Sequence, residues 1–203
     1  IIPNIYNNNI YEQNNINTNF VLTAETHNFP TGIAPFPGAA TGIGGRIRDV
    51  QATGRGAIPI ASSAGYCVGD IDTINKDDYP SNMAMPLDIL IQASNGASDY
   101  GNKFGEPIIL GFSRSFKKIF NSYQFNNDLY RFDNERIEWI KPIMFTAGIG
   151  IMNHEHIMKG EAKPELLIAK IGGPVYKVGY GGSQASSRKI EKENATEDYN
   201  AVQ

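Results

Sequence analysis

The chain has 203 residues, of which 41% are hydrophobic and 21 are glycine, a composition typical of a loop-rich globular protein. Its 18 basic and 21 acidic side chains give a net charge of −3, so no overall positive charge draws it to nucleic acid or anionic membranes. No apolar run approaches the roughly 20 residues of a membrane span. A single cysteine, Cys67, excludes an intramolecular disulfide framework and predicts a reducing location such as the cytoplasm.

The first part of the chain predicts a connection, a strand and a helix. Residues 1–18 are dominated by asparagine, a bias typical of a poorly ordered connection. From Asn19 to His27 the sequence reads as a β-strand, which Phe29-Pro30 ends because proline donates no ladder hydrogen bond. A helix is predicted from Gly38 to Thr53, although each interior glycine costs about 1 kcal/mol against alanine. Close packing or the approach of a ligand is therefore expected at these glycines.

Strands and helices are predicted along the rest of the chain. Glycines at residues 54–56 are expected to end the first helix, and an amphipathic helix is expected at residues 87–100, after a polar loop at 69–83. Residues 113–138 lack clear periodicity and are interpreted as a linker or surface excursion, with a domain boundary near 120–140. Strands are predicted at residues 58–68, 108–112, 141–152 and 166–171.

One stretch of about 25 residues carries the candidate site. Alternate residues of a strand share a face, so Glu25 and His27 are expected side by side, a ligand for a hard cation next to a titratable imidazole. Small residues from Gly38 to Gly45 follow, where a ligand can approach backbone N–H groups. Arg48 and Asp49 then add both signs of charge. The set predicts a site for a phosphorylated substrate and a divalent cation.

Each motif has a structural alternative that the residues alone leave open. Glu25 and Asp49 are also typical of ordinary carboxylates, and a histidine beside a strand carboxylate is often structural. The glycine run matches neither a Walker loop nor a dinucleotide fingerprint, and a second glycine cluster at residues 172–187 either cradles phosphate or turns a corner. His154-Glu155-His156 suggests a metal pair, but a surface feature is favoured. Cys67 is predicted to be a buried, unreactive thiol.

Five blocks of the chain, taken in order, resemble one enzyme family. They read LTAETHNFPTGIAPFPGAATGIGGRIRD at residues 22–49, GRGAIPIASSAGYCVGD at 54–70, QASNGASDYGNKFGEP at 92–107, KPIMFTAGIG at 141–150 and KIGGPVYKVGYGGSQASS at 170–187. Together they resemble phosphoribosylformylglycinamidine synthase in its large, single-chain form. The resemblance, and a first residue that is not methionine, imply an internal fragment of the synthetase core of a longer protein.

The resemblance implies an α/β (α+β) fold of the aminoimidazole-ribonucleotide-synthetase-like, or PurM-like, type. The order of the expected parts is an Asn-rich connection at 1–18, a PurM-like N-terminal-type α/β domain at 19–115, a linker or insertion at 116–138, and the incomplete beginning of a PurM-like C-terminal-type domain at 139–203.

The implied activity of the whole parent is the ATP-dependent conversion of formylglycinamide ribonucleotide and glutamine-derived ammonia to formylglycinamidine ribonucleotide, in purine biosynthesis. Phosphorylation of the carbonyl oxygen creates a good leaving group, which ammonia then displaces. ATP and Mg²⁺ are the implied cofactors. The implied partners are the substrate, ammonia from a glutaminase domain absent from this chain, and the other domains of the parent, with no nucleic acid or membrane. The fragment alone is expected to be inactive, and Cys67 is not the glutaminase nucleophile.

The resemblance also implies a role for each matching residue. His27 is the expected acid–base residue, Glu25 and Asp49 are the expected metal ligands, and Arg48 is expected to contact substrate or phosphate. The substrate-contacting residues are Thr26, His27, Asn28, Phe29 and Arg48. The nucleotide-binding residues are Gly38, Ala39, Ala40, Thr41, Gly42, Ile43, Gly44, Gly45, Arg46, Ile47, Arg48 and Asp49.

The chain departs from the family in two places, and two alternative functions stay open. His-Asn-Phe-Pro stands at residues 27–30 where some relatives have His-Asn-His-Pro, and the Asn-rich residues 1–18 and 121–127 look like lineage-specific insertions. One alternative is a related ATP-dependent synthetase such as aminoimidazole ribonucleotide synthetase, against which GYCVGD and DYGNKFGEP argue. The other is a non-catalytic nucleotide-binding or structural half, which the retained Glu25, His27, Arg48 and Asp49 disfavour.

Overall fold

A computed structural model describes residues 2–3, 11–12, 17–73, 75–76, 79–125 and 128–172. The helices are α1 (Asn28–Ile33), α2 (Pro35–Gln51) and α3 (Pro86–Phe104), and a 3₁₀ turn spans His154–His156. The strands are β1 (Ile2–Pro3), β2 (Tyr11–Glu12), β3 (Thr18–Thr26), β4 (Ile58–Val68), β5 (Ile108–Ser115), β6 (Lys117–Phe125), β7 (Asp128–Glu138) and β8 (Ile143–Asn153). Among these described residues, no helix has the length and apolar character needed to cross a lipid bilayer.

Four strands form a mixed sheet in the order β3-β8-β4-β5. Strand β8 is antiparallel to both of its neighbours, whereas β4 and β5 run parallel and are joined through α3. Helices α2 and α3 pack against each other and against the sheet, where Ile43 and Ile47 of α2 meet Ala93 of α3 and Met144 of β8. The predicted α/β class is confirmed.

The predicted strand at the start of the site is confirmed, but it ends one residue earlier than His27. Strand β3 stops at Thr26, and His27 is the residue that precedes α1, although its N–H still bonds to the Met144 carbonyl at 2.9 Å. Directly after the strand, residues Asn28–Ile33 form the short helix α1. Pro30 is tolerated there because N–H groups in the first helical turn have no intrahelical partner.

Residues 116–138, interpreted as a linker, include the antiparallel hairpin of β6 and β7. The strand that follows, β8, lies between β3 and β4, so residues 143–153 complete the sheet to which residues 19–115 contribute the other strands. The expected division at residue 139 therefore separates β8 from its own hydrogen-bonding neighbours. A single sequence pattern reveals that a strand exists but not which strands it pairs with. Of the expected second unit, residues 139–172 are described and residues 173–203 lie outside the described residues.

The prediction of a strand at residues 166–171 is wrong for this structure. These residues form no strand, and Leu167 and Ile168 are each 98% exposed. Apolar residues adopt a stable strand only where neighbouring strands satisfy their backbone and cover one face. The second glycine cluster, apart from Gly172, lies outside the described residues.

Two glycines allow α2 and α3 to approach closely. A Cβ on Gly44 would lie 2.6 Å from the Tyr100 ring, and one on Gly96 would overlap the Phe36 carbonyl oxygen. The expectation that close packing explains glycines in the first helix is therefore met at Gly44. Gly54, with φ of +58°, lies in the turn that follows the end of α2, where residues 54–56 are predicted to end the helix.

The sheet face opposite α2 and α3 is apolar and exposed in the part of the chain that the structure describes. Val21 packs toward the helices with Val50, so Phe20 and Leu22 project from the other face, where they are 70% and 77% exposed. Leu110 of β5 is 70% exposed. We call Phe20, Leu22 and Leu110, with Ile149 of β8 opposite Leu22, the open sheet face. Contiguous exposed apolar surface is characteristic of an interaction site.

Candidate functional site

The carboxyl ends of three strands lie together at one end of the sheet. Strand β8 is antiparallel to β3 and β4, and β5 is parallel to β4, so β3, β4 and β5 all end where β8 begins. His27 follows β3 at this end, and Asp70 follows β4. Asp70 accepts a hydrogen bond at 2.7 Å from Lys117, which begins the strand after β5. Ligands of α/β sheets bind at such ends.

His27 is held as a neutral base at this end of the sheet. Its Nδ1 lies 2.7 Å from the Gly38 carbonyl oxygen, which can only accept, so Nδ1 carries the proton. The other ring nitrogen, Nε2, then keeps its lone pair. Burial lowers the pKa of the half-buried imidazole, and the hydrogen bond to Gly38 opposes this in part. Near neutral pH, Nε2 can therefore accept a proton or a hydrogen bond from a ligand.

The lowered pKa of His27 predicts that acid destabilises the fold. Near and below its ordinary pKa of 6.5, the unfolded histidine binds more protons than the folded one. The free energy of unfolding therefore decreases as the pH is lowered. The fall ends once the pH is below the lowered pKa of the folded state. Urea unfolding between pH 8 and 5 measures this loss, and His27→Gln should remove part of it. An identical pH dependence in both proteins would contradict a lowered pKa.

The other residues of the substrate block have different environments. Thr26 is exposed at the end of β3. Asn28 Oδ1 accepts a hydrogen bond from the Met144 N–H at 3.0 Å, which fixes the start of α1 to β8. Phe29 is only 1% exposed and packs on Met83. Thr26 and His27 are therefore the accessible members of this block, whereas Phe29 is part of the core.

The expected nucleotide segment, Gly38–Asp49, is the interior of α2. Its N–H groups bond to carbonyl groups of the preceding turn, as the Gly38 N–H does to the Ala34 carbonyl at 2.8 Å. The structure thus holds no cradle of free N–H groups within this helix. Ile43 and Ile47 face the core, whereas Gly45 and Arg48 lie on the accessible side. A ligand would therefore meet the side chains and the outer surface of this helix.

The two expected metal ligands lie at different levels of the sheet. Glu25 is exposed near the end of β3, and Asp49 accepts a hydrogen bond from Arg48 at 3.1 Å. Val50, next to Asp49, packs with Val21, and about 13 Å of strand separates Val21 from Glu25. The described residues include no group of three or more His, Cys, Asp or Glu that could hold a metal ion. Both residues still offer the hard carboxylate oxygens that Mg²⁺ prefers.

Two further sequence motifs are located by the structure. Residues 154–156 form an exposed 3₁₀ turn, in which His154 Nδ1 lies 3.3 Å from the Asn19 amide nitrogen. Cys67 is buried, as predicted, and this burial raises the pKa of its thiol despite the nearby positive charge of Arg114. Cys67 is therefore a poor nucleophile at neutral pH.

The sequence interpretation missed the buried ion pair between Arg46 and Glu106. Both side chains are essentially inaccessible, and Arg46 Nε also donates to Thr146 Oγ1 at 3.1 Å. The sequence did hold a signal, because Ile43, Ile47 and Val50 repeat at helical spacing and place Arg46 on the same buried side. Arg46 therefore contacts the core rather than the accessible surface of α2.

A cavity of about 750 Å³ lies between α3 and β5, at the side of the sheet away from β3. Its volume is in the range of small-molecule sites. Residues of both elements line it, among them Leu90, Ser94, Asn95 and Ser98 of α3 and Ile108 and Phe112 of β5. None of these residues is among the expected site residues.

Fold and site together define an α/β protein with a neutral histidine at the carboxyl end of its sheet. The chain is 52% identical over 191 residues to the probable phosphoribosylformylglycinamidine synthase of Arabidopsis thaliana, named chloroplastic/mitochondrial, and 51% identical over 192 residues to the human phosphoribosylformylglycinamidine synthase. Each match covers 90% of this chain but 13% and 14% of the relative. The chain therefore belongs to the phosphoribosylformylglycinamidine synthase family, of which it corresponds to one segment.

Two other comparisons were less informative. No protein-family model matches the chain. A Thermotoga maritima PurL structure, complexed with AMPPCP, is 23% identical, with a TM-score of 0.44 over 70% of this chain and 18% of that one.

Proposed function

We propose that this chain is part of an ATP-dependent ligase that converts formylglycinamide ribonucleotide and ammonia to formylglycinamidine ribonucleotide. The observation that carries the proposal is identity of about one half to synthases of that name over 90% of the chain. Because the chain spans only 13–14% of those relatives, the activity belongs to a longer protein.

The cytoplasm is the proposed location, and fluorescence imaging of the tagged full-length protein tests it against an organelle.

His27 is the proposed acid–base residue. Its Nδ1 proton is engaged by the Gly38 carbonyl, so Nε2 is the atom that accepts a proton from the attacking ammonia. The neutral form needed for this is favoured by partial burial. Thr26, at the end of the same strand, and the amide nitrogen of Asn28 are the proposed hydrogen-bonding groups for the substrate. Phe29 supports them from the core.

The accessible side of Gly38–Asp49 is the proposed nucleotide surface. Arg48, exposed on α2, is suited to phosphate through its planar fork of N–H donors. Glu25 and Asp49 would supply carboxylate oxygens to Mg²⁺, with water and phosphate oxygens completing its coordination. When bound, the ion neutralises charge on the transferring phosphoryl group.

Other domains of the longer protein are the proposed partners of this segment. The open sheet face exposes Phe20, Leu22 and Leu110, which need a cover in water. Ammonia is proposed to come from a glutaminase domain of the same protein. Hydrogen exchange of β3 and β5 in the full-length protein, compared with this chain alone, tests whether the face is covered.

Magnesium-dependent nucleotide binding tests the proposed site most simply. Isothermal titration of the full-length protein with Mg·ATP should give a Kd that rises at least about tenfold, or 1.4 kcal/mol, in both Glu25→Ala and Asp49→Ala. Asp99→Ala is the matched control, since Asp99 is a partly exposed carboxylate on α3 that pairs with Lys103. Binding that is insensitive to both site changes would exclude the metal roles. A nucleotide that binds without any ligase activity would favour a non-catalytic half.

A further inference from the structure

The Arg46–Glu106 pair joins three elements inside the protein. Arg46 projects from α2 and is 0% exposed. Its Nε donates to Thr146 Oγ1 of β8 at 3.1 Å, and its Nη2 pairs with Oε2 of Glu106. Glu106 lies in the connection between α3 and β5. The guanidinium therefore ties α2 to the sheet and to the end of α3.

The surrounding backbone is built to accept this pair. A Cβ on Gly148 of β8 would overlap the Arg46 guanidinium, so the absence of a side chain there creates its space. On the other side, Gly105 adopts a left-handed conformation with φ of +68° and ends α3. The Glu106 N–H then bonds to the Gly101 carbonyl at 2.9 Å. These backbone features aim the carboxylate at Arg46.

Stability alone is a weak reason for this arrangement. The desolvation of two buried charges commonly offsets their attraction, and apolar residues of similar volume are often at least as stabilising. Moreover, Arg46 Nη1 and Glu106 Oε1 are buried without a hydrogen-bond partner among the described residues. Apolar contacts such as those of Ile43 and Ile47 are non-directional and tolerate rotation of a helix. The hydrogen bonds of a charged pair have a defined geometry and therefore restrict that rotation.

We propose that the Arg46–Glu106 pair is a positioning device that fixes the rotation of α2 about its axis. The pair and Thr146 hold one side of the helix toward the sheet, and Gly45 and Arg48 are thereby presented on the accessible side. The same rotation keeps the Gly38 carbonyl on His27 Nδ1. Arg46 thus does not touch the ligands itself. It positions Gly45 and Arg48 for the nucleotide and keeps His27 oriented as the acid–base residue. The proposal rests on the proposed function of this helix surface.

The test separates position from stability by removing both charges together. Arg46→Met/Glu106→Leu in the full-length protein should keep a thermal-inactivation half-life within about twofold of wild type. Its KM for Mg·ATP should nevertheless rise at least tenfold, and hydrogen exchange in residues 35–51 should accelerate. Asp99→Asn/Lys103→Met removes the partly exposed pair of α3 and is expected to leave all three quantities unchanged.

Arg46→Lys provides a second measurement if the double variant loses stability. Lysine keeps the charge near Glu106 but lacks the fork that reaches Thr146 as well, so the KM for Mg·ATP should again rise. Wild-type KM and exchange rates in a stable double variant, or in Arg46→Lys, would overturn the positioning role. If the wild type has no ligase activity, the proposed function fails, and the exchange of residues 35–51 alone decides this inference.

Discussion

Arg46→Met is expected to lower the free energy of unfolding by about 3–5 kcal/mol, because it leaves Glu106 as a buried and uncompensated charge. Thr146 also loses the donor at its hydroxyl group. A typical domain has only about 5–15 kcal/mol of stability, so this single change approaches the limit of folding. Urea unfolding of the chain measures it from the shift in the transition midpoint.

Lys103→Met is the matched control for that change. Lys103 also pairs with a carboxylate, but its side chain is 66% exposed and Asp99 can be hydrated when left alone. A small change is therefore expected. If Arg46→Met cost less than about 1 kcal/mol, the pair would not contribute as a buried ion pair, and the account of how α2 is held would be wrong.

His27→Ala is expected to lower kcat for amidine formation by at least about 10²-fold, the usual loss on removal of a general acid or base. The assay uses the full-length protein with Mg·ATP and ammonium salt, so ammonia need not be supplied by glutamine. The physical reason is the free Nε2 of a neutral imidazole, whose Nδ1 proton is fixed by Gly38. The alanine variant offers no atom that can take this proton.

His154→Ala is the control for the loss of a histidine. His154 follows β8 and is exposed at the opposite end of the sheet, so its removal should change kcat less than about twofold. A wild-type rate in His27→Ala would keep the family assignment but reduce His27 to a structural residue. Loss of activity with loss of folding is distinguished by the unfolding measurement on the same variant.

The regular elements near the site were largely predictable from the sequence. The helix at residues 38–53 and the helix at 87–100 appear as α2 and α3 because their apolar residues repeat at helical spacing. Glycine and proline marked the boundaries at residues 54–56. His27 could be chosen as a candidate from its neighbours. Its tautomer depends on Gly38, whose contact exists only in the folded chain.

Pairings distant in sequence account for what could not be predicted. Strand β8 lies between β3 and β4, and its hydrogen bonds to β3 join residues that are more than 100 positions apart in the sequence. The depth of Arg46 depends on the space at Gly148 and on the carboxylate of Glu106. Residues 166–171 show the converse, since a strand-like composition without pairing neighbours forms no strand and stays exposed.

Oxygen-isotope transfer in the full-length protein is the most direct test of the proposed reaction. The substrate is labelled with ¹⁸O at the carbonyl oxygen that ammonia replaces, and the reaction is run with Mg·ATP and ammonium salt. Phosphorylation of that oxygen, followed by displacement, leaves the carbon–oxygen bond broken and the label in inorganic phosphate. We predict one labelled phosphate for each amidine formed. Amidine with unlabelled phosphate would contradict the phosphorylated intermediate, and ADP release without amidine would contradict the proposed ligase function.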